Sequence, residues 1–138
     1  MIRYFVSILS VLILLGTAHA GIDSTAAKEK LEQITGILNK RSGTLDEHHR
    51  NMRLAITEVE ALRKTSPAPK FAGVAALLAS QAHFNIESYH EALGEVTTAL
   101  TLPLETPHRA LGMFIQAVIL QKVGKPAEGA VVLWCSTV

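Results

Sequence analysis

Glu87-Ser88-Tyr89-His90-Glu91-Ala92-Leu93-Gly94-Glu95-Val96-Thr97-Thr98-Ala99-Leu100-Thr101-Leu102-Pro103 is the stretch whose reading decides the fold. Ala92, Leu93, Val96, Ala99 and Leu100 recur at three- and four-residue steps, which gathers them on one face of an α-helix. Ser88-Tyr89-His90-Glu91 has the order of a capping box, in which a hydroxyl and a carboxylate satisfy orphan amides at a helix start. Pro103 ends the run, because it has no amide to continue the ladder.

The pattern extends outward in both directions. Upstream, Phe71, Val74, Ala75, Leu78 and Ala82 predict a helix from about Pro69 to Phe84, with Asn85 suited to a left-handed cap. Downstream, Thr106-Pro107 opens a helix through Phe114, Ala117, Val118 and Leu120 to Val123, closed by Gly124. Pro126 then opens a sixth, with Ala130, Val131, Leu133 and Trp134. Before the prolines of Thr65-Ser66-Pro67-Ala68-Pro69 stand two more. One, from about Ser24 to Lys40, carries Ala27, Leu31, Ile34 and Leu38 at i, i+4, i+7 and i+11; Asp23 or Ser24 caps its start and Ser42-Gly43 its end. The other follows the capping box Thr44-Leu45-Asp46-Glu47 and turns Met52, Ala55, Ile56, Val59 and Leu62 inward. Strand signals are nearly absent. The expectation is an all-α chain of three antiparallel helical hairpins, with residues 21–66 forming the first and 67–138 the other two.

Residues 1–20 read as a secretory signal peptide. Arg3 precedes an apolar run from Tyr4 to Leu15, and Ala18-His19-Ala20 offers the small-x-small pattern of a cleavage site. The run is shorter than the about 20 apolar residues that span a bilayer. Cleavage after Ala20 predicts a periplasmic or secreted chain beginning at Gly21, with no membrane association afterwards. The whole chain has 13 basic and 12 acidic side chains. Removing Arg3 balances them, so there is no electrostatic reason to expect nucleic acid or an anionic membrane as partner. Cys135 is the single cysteine, which rules out an intramolecular disulfide.

Tyr89-His90-Glu91-Ala92-Leu93 followed by Ala99-Leu100-Thr101-Leu102-Pro103 resembles the second helix of a tetratricopeptide repeat. A weaker copy begins at Gly124-Lys125-Pro126-Ala127-Glu128-Gly129-Ala130. Placing Glu87 on Gly124 gives a spacing of 37 residues, against a period of about 34 in that family. Ser80 and Ala117 then coincide at its small-residue position. Neither copy has the family's usual tryptophan or Leu-Gly pair, Gly129 stands where alanine is usual, and 24–64 shows only helix-pair size. The resemblance covers about half the chain. It implies a short right-handed α-solenoid whose concave face, lined by the third and fifth helices, holds a protein or peptide partner. Gln81, Asn85, Gln116 and Gln121 are the groove positions this points to. Solvated helix positions are the plainer reading of the same residues. A solenoid also needs a polar outer face on its last helix. Leu133-Trp134-Cys135-Ser136-Thr137-Val138 is apolar instead, which predicts a truncated last hairpin, or an end that packs against a partner or a second copy.

Chemistry is scarce. His48 and His49 lie about 100° apart on a helix and do not chelate together. His83, Glu87 and His90 flank one turn, and they are the weak candidates for a metal site. No nucleophile elbow, phosphate loop or dinucleotide fingerprint is present, so no enzyme and no cofactor are expected. The leading expectation is a non-catalytic exported scaffold or adaptor for protein–protein interaction. The alternatives are a small periplasmic metal-binding or sensor protein using His83 and His90, or a fragment of a longer repeat protein.

Overall fold

The structure is a computed structural model, which describes residues 23–124. The signal peptide expected at 1–20 and the sixth helix expected from Pro126, with Trp134 and Cys135, lie outside the described residues. Among the described residues there are five α-helices and no strand: α1 Ser24–Asn39, α2 Leu45–Arg63, α3 Pro69–Asn85, α4 Tyr89–Thr101 and α5 Thr106–Lys122. Each helix packs against the next; α1 also touches α3, and α3 touches α5.

Local chemistry sets the helix ends. The Asp23 carboxylate accepts from the Thr25 amide at the start of α1. Thr44 Oγ1 accepts from the Glu47 amide at 3.1 Å, as a capping box requires. The Glu47 carboxylate reaches one residue further back than expected and accepts from the Gly43 amide at 2.9 Å. The second predicted box does not form. Ser88 precedes α4 with ψ at 68°, far from the extended value that aims an N-cap hydroxyl at the first turn, and it makes no side-chain cap bond. Its own amide is already committed to the end of α3. The Ser88 N–H donates to the His83 carbonyl at 2.9 Å and the Glu87 N–H to the Phe84 carbonyl at 3.0 Å, the two bonds of a Schellman motif. The left-handed residue is therefore Glu87, with φ at 63°, and not Asn85, which stays helical. Arg109 on α5 donates to the carbonyls of Leu100 and Leu102, each at 3.1 Å, and so satisfies the end of α4 from outside.

Helix α3 joins two apolar cores. Ala75, Ala79 and Ala82 pack with Ala27, Leu31, Ile34, Leu38, Met52, Ala55, Val59 and Leu62 of the first hairpin. Ala76 and Leu77, on another side of α3, pack with Ala92, Val96 and Ala99 of α4 and Ile119 of α5. A helix enclosed on both sides must be thin, which explains the alanine-rich run from Ala72 to Ala82. Ser80 within it is fully buried, and its hydroxyl donates to the Ala92 carbonyl at 2.8 Å, bonding α3 directly to the backbone of α4. The loop after α4 lies against Gly73, where a methyl group would sit 3.0 Å from Leu104 Cδ2 and 3.1 Å from the Pro103 carbonyl oxygen.

Two charged contacts supplement the cores. Lys30 on α1 is buried and pairs with Glu58 on α2. Arg63 at the end of α2 pairs with Glu60 at 2.7 Å on its own helix and with Glu95 on α4. Its guanidinium is held above its ordinary value, first by the hydrogen bonds it donates to the Glu95 carboxylate.

Candidate functional site

Helices α3 and α5 have 17 residues each and are offset by 37 residues at both ends. At three positions burial follows the same offset. Ala75 and Gly112, Ser80 and Ala117, and Ala82 and Ile119 are all buried pairs. Glu87 and Gly124, which follow the two helices, are both left-handed, with φ at 63° and 82°. The correspondence is partial, since Gly73, Ala76, Leu77 and Ala79 are buried where Ala110, Met113, Phe114 and Gln116 are not; the two helices touch each other.

The 37-residue offset defines a pair of strips. On α3 the least covered positions after its first turn include Val74, Leu78, Gln81 and Asn85, at i, i+4, i+7 and i+11. Val74 and Leu78 also lean on the first core. Their counterparts on α5 are Leu111, Ile115, Val118 and Lys122. Leu111 is 45% exposed, Ile115 and Val118 are half-buried, and Lys122 is exposed. The strips are apolar along much of their length, with amides on α3 and an ammonium on α5 at the end nearest the turns. Leu111, open on α5 beside the half-buried Val74 and Leu78 of α3, suits an apolar partner segment.

Of the four residues expected to line a groove, Gln81 and Asn85 share the α3 strip. Asn85 is half-buried, and its amide donates to Met52 Sδ at 3.4 Å, so it also tethers α3 to α2. Gln116 does not belong with them. It stands 37 residues after Ala79, a core position, and is turned towards α4, where its amide donates to Thr97 Oγ1 at 3.4 Å. Gln121 is exposed but corresponds to Phe84, whose ring packs on Tyr89 with centroids 5.5 Å apart. It therefore occupies the side that α3 turns to the following helix. Reading each helix separately could not fix this rotation. The sequence alone does not mark Leu111 as a surface residue, because an apolar residue at helical spacing reads as core.

The histidine candidates do not assemble. Glu87 and His90 are exposed, whereas His83 is half-buried with its Nδ1 enclosed and without a hydrogen-bond partner. Among the described residues, no three His, Cys, Asp or Glu side chains come together as a metal ion would require. His48 and His49 have ring centroids 6.1 Å apart, tilted by 47°, as neighbours on one helix do. No helix among the described residues is long and apolar enough to cross a membrane. In comparisons with known proteins, no family model, no curated protein and no solved structure matches the chain. Its own residues and geometry therefore carry the functional argument.

Proposed function

We propose that this chain is a non-catalytic, exported helical-repeat scaffold that holds a segment of another protein against the strips on α3 and α5. The observation that supports this reading is the 37-residue offset of two touching helices of equal length. Repetition of this kind builds an extended surface from small units, as helical-repeat proteins do. The tetratricopeptide-like sequence from Tyr89 to Pro103 and the contacts running α1 to α3 to α5 agree with a solenoid of hairpins. Export rests on residues 1–20. Mass spectrometry of the chain recovered from outside the cytoplasm is expected to find Gly21 at its amino terminus.

Site-specific photocrosslinking tests the binding role. Probes at Gln81, Asn85, Leu111 and Val118 are compared with probes at Thr57 and Thr98, exposed positions on α2 and α4. Adducts to one identified protein at the strip positions, and not at the controls, are the expected result. Labelling that is equal at both sets, or absent from both, rules the reading out. Once the partner is purified, Leu111→Asp is expected to weaken its binding by about tenfold or more, the effect of placing a charge in an apolar contact. An unchanged Kd would remove α5 from the site.

A further inference from the structure

Among the described residues, the basic side chains outside helices are those of Lys40, Arg41 and Lys64. Two of them are adjacent. Asn39-Lys40-Arg41-Ser42-Gly43 leads from the end of α1 to the Thr44 cap of α2, and Lys40 and Arg41 are both exposed. Lys40 has φ at −65° and ψ at 126°, the extended form in which an endoprotease takes its substrate. Small residues, Ser42 and Gly43, follow, as at the exposed loop tips where chains are most readily nicked. We infer that the Arg41–Ser42 bond is a processing site for an endoprotease that recognises a basic side chain, and that cutting it turns α1 from a fixed part of the fold into a removable cover. This inference stands apart from the repeat reading above.

Geometry singles out this bond. Lys28, Arg50 and Arg53 are exposed but lie within helices, whose ladders a protease would have to break. Lys64 is helical, with φ at −62° and ψ at −17°, and the amides of Thr65 and Ser66 are bonded to the Leu62 and Arg63 carbonyls before Pro67. Beyond the Arg41–Ser42 bond the link is held to α2. Asn51 donates to Ser42 Oγ at 3.1 Å, and the Gly43 amide donates to the Glu47 carboxylate at 2.9 Å. The give must therefore come from the α1 side. A cut after Arg41 has Lys40, already extended, before it, whereas a cut after Lys40 would unwind one more residue of α1. Hydrolysis adds water across the amide, so that Arg41 gains a carboxylate and Ser42 an amine. While the link is whole, α1 docks as part of one chain, at an effective concentration on the order of mM. Once cut, α1 is a separate 16-residue segment, marginal as a helix by itself. Ala27, Leu31, Ile34 and Leu38 then hold it to the first core by contact alone. Its departure uncovers apolar side chains of α2 and α3 in that core.

Limited digestion of the full chain with trypsin, which cuts after Lys and Arg, tests the site, with new amino termini read by mass spectrometry. The first cut between Lys28 and Arg109 is expected after Arg41, giving a fragment that begins at Ser42. A first cut after any other Lys or Arg in that span, Lys64 included, overturns the site. Lys40→Gln combined with Arg41→Gln alters two exposed side chains only, and is expected to lengthen the half-life of the span by about tenfold or more. An unchanged half-life overturns the site as well. The cut chain is then melted at two concentrations about a hundredfold apart. Its Tm is expected to fall on dilution while that of the uncut chain stays constant, because only the cut fold is held together between separate segments. A cut chain whose Tm ignores dilution overturns the removable cover.

Discussion

Glu87 occupies a backbone conformation that strains any residue with a Cβ, since φ of 63° brings that atom close to the following carbonyl oxygen. The strain persists because the two Schellman bonds end α3 there. Gly124 shows what the same turn prefers when nothing else constrains it. Replacing Glu87 by glycine is expected to stabilise the fold by about 1 kcal/mol, and replacing it by valine to destabilise it by at least as much. Urea denaturation midpoints check both signs. Lys30 provides a second test at this scale. Burial desolvates its ammonium and holds it below its ordinary value of 10.5, although it pairs with Glu58. The unfolded chain then binds that proton more tightly than the folded one. Stability is therefore expected to rise with pH across the interval between the lowered folded value and 10.5, and to gain nothing more from this group above it. Glu58→Gln removes the opposing charge, so the rise should begin at lower pH and be larger. Thermal melts of both proteins from pH 8 to about pH 11 would show it. A flat profile in the variant would mean that Lys30 is not desolvated.

At the scale of elements, helix ends were legible wherever a local signal fixed them. Thr44, the prolines at 67 and 69, and the Thr106-Pro107 pair all mark boundaries that the structure keeps, and α1 ends at Asn39 where Lys40 was expected. The Ser42-Gly43 cap expected for α1 is not used, since the helix ends on Lys40 in an extended conformation. Two further misreadings fall on one connection. Asn85 and Ser88 each carry the right residue type for a cap, but the three residues between α3 and α4 form a single motif that leaves neither side chain a capping role. Rotation about the helix axis was the other illegible quantity, which is why Gln116 was placed in a groove and found against Thr97. Two glycines now separate packing from propensity. Gly94 lies in α4 with nothing within 4 Å of where a methyl would go, so Gly94→Ala is expected to stabilise by about 0.5–1 kcal/mol. At Gly73 the same methyl meets Leu104 and the Pro103 carbonyl oxygen at 3.0 and 3.1 Å, and a backbone oxygen cannot step aside. Gly73→Ala should therefore destabilise by about 1–3 kcal/mol despite alanine's better helix propensity. Opposite signs in denaturant unfolding are the expected outcome.

For the whole molecule the decisive helix is α3, because both cores are built on it. Ala75, Ala79 and Ala82 face one, while Ala76 and Leu77 face the other. Alanine offers little area of its own to bury, so α3 has few apolar atoms with which to hold its place independently. It is held between the large side chains of its neighbours, and losing either set loosens it against the other. Arg63 adds a second tie, joining α2 to α4 through Glu95 without passing through α3. These links predict that a lesion in the first core is felt in the second. Ile34 on α1 is fully buried among residues of the first core. Ile34→Ala is expected to lower global stability by about 2–5 kcal/mol. If the two cores form one cooperative unit, amides of α4 should lose protection by as large a free energy as those of α2, although Ile34 belongs to neither helix. Native-state hydrogen exchange resolves the two cases residue by residue. Protection lost in α1 and α2 alone would show that α3 stays docked on α4 without the first hairpin, so that the two cores fold as separate units on one shared helix.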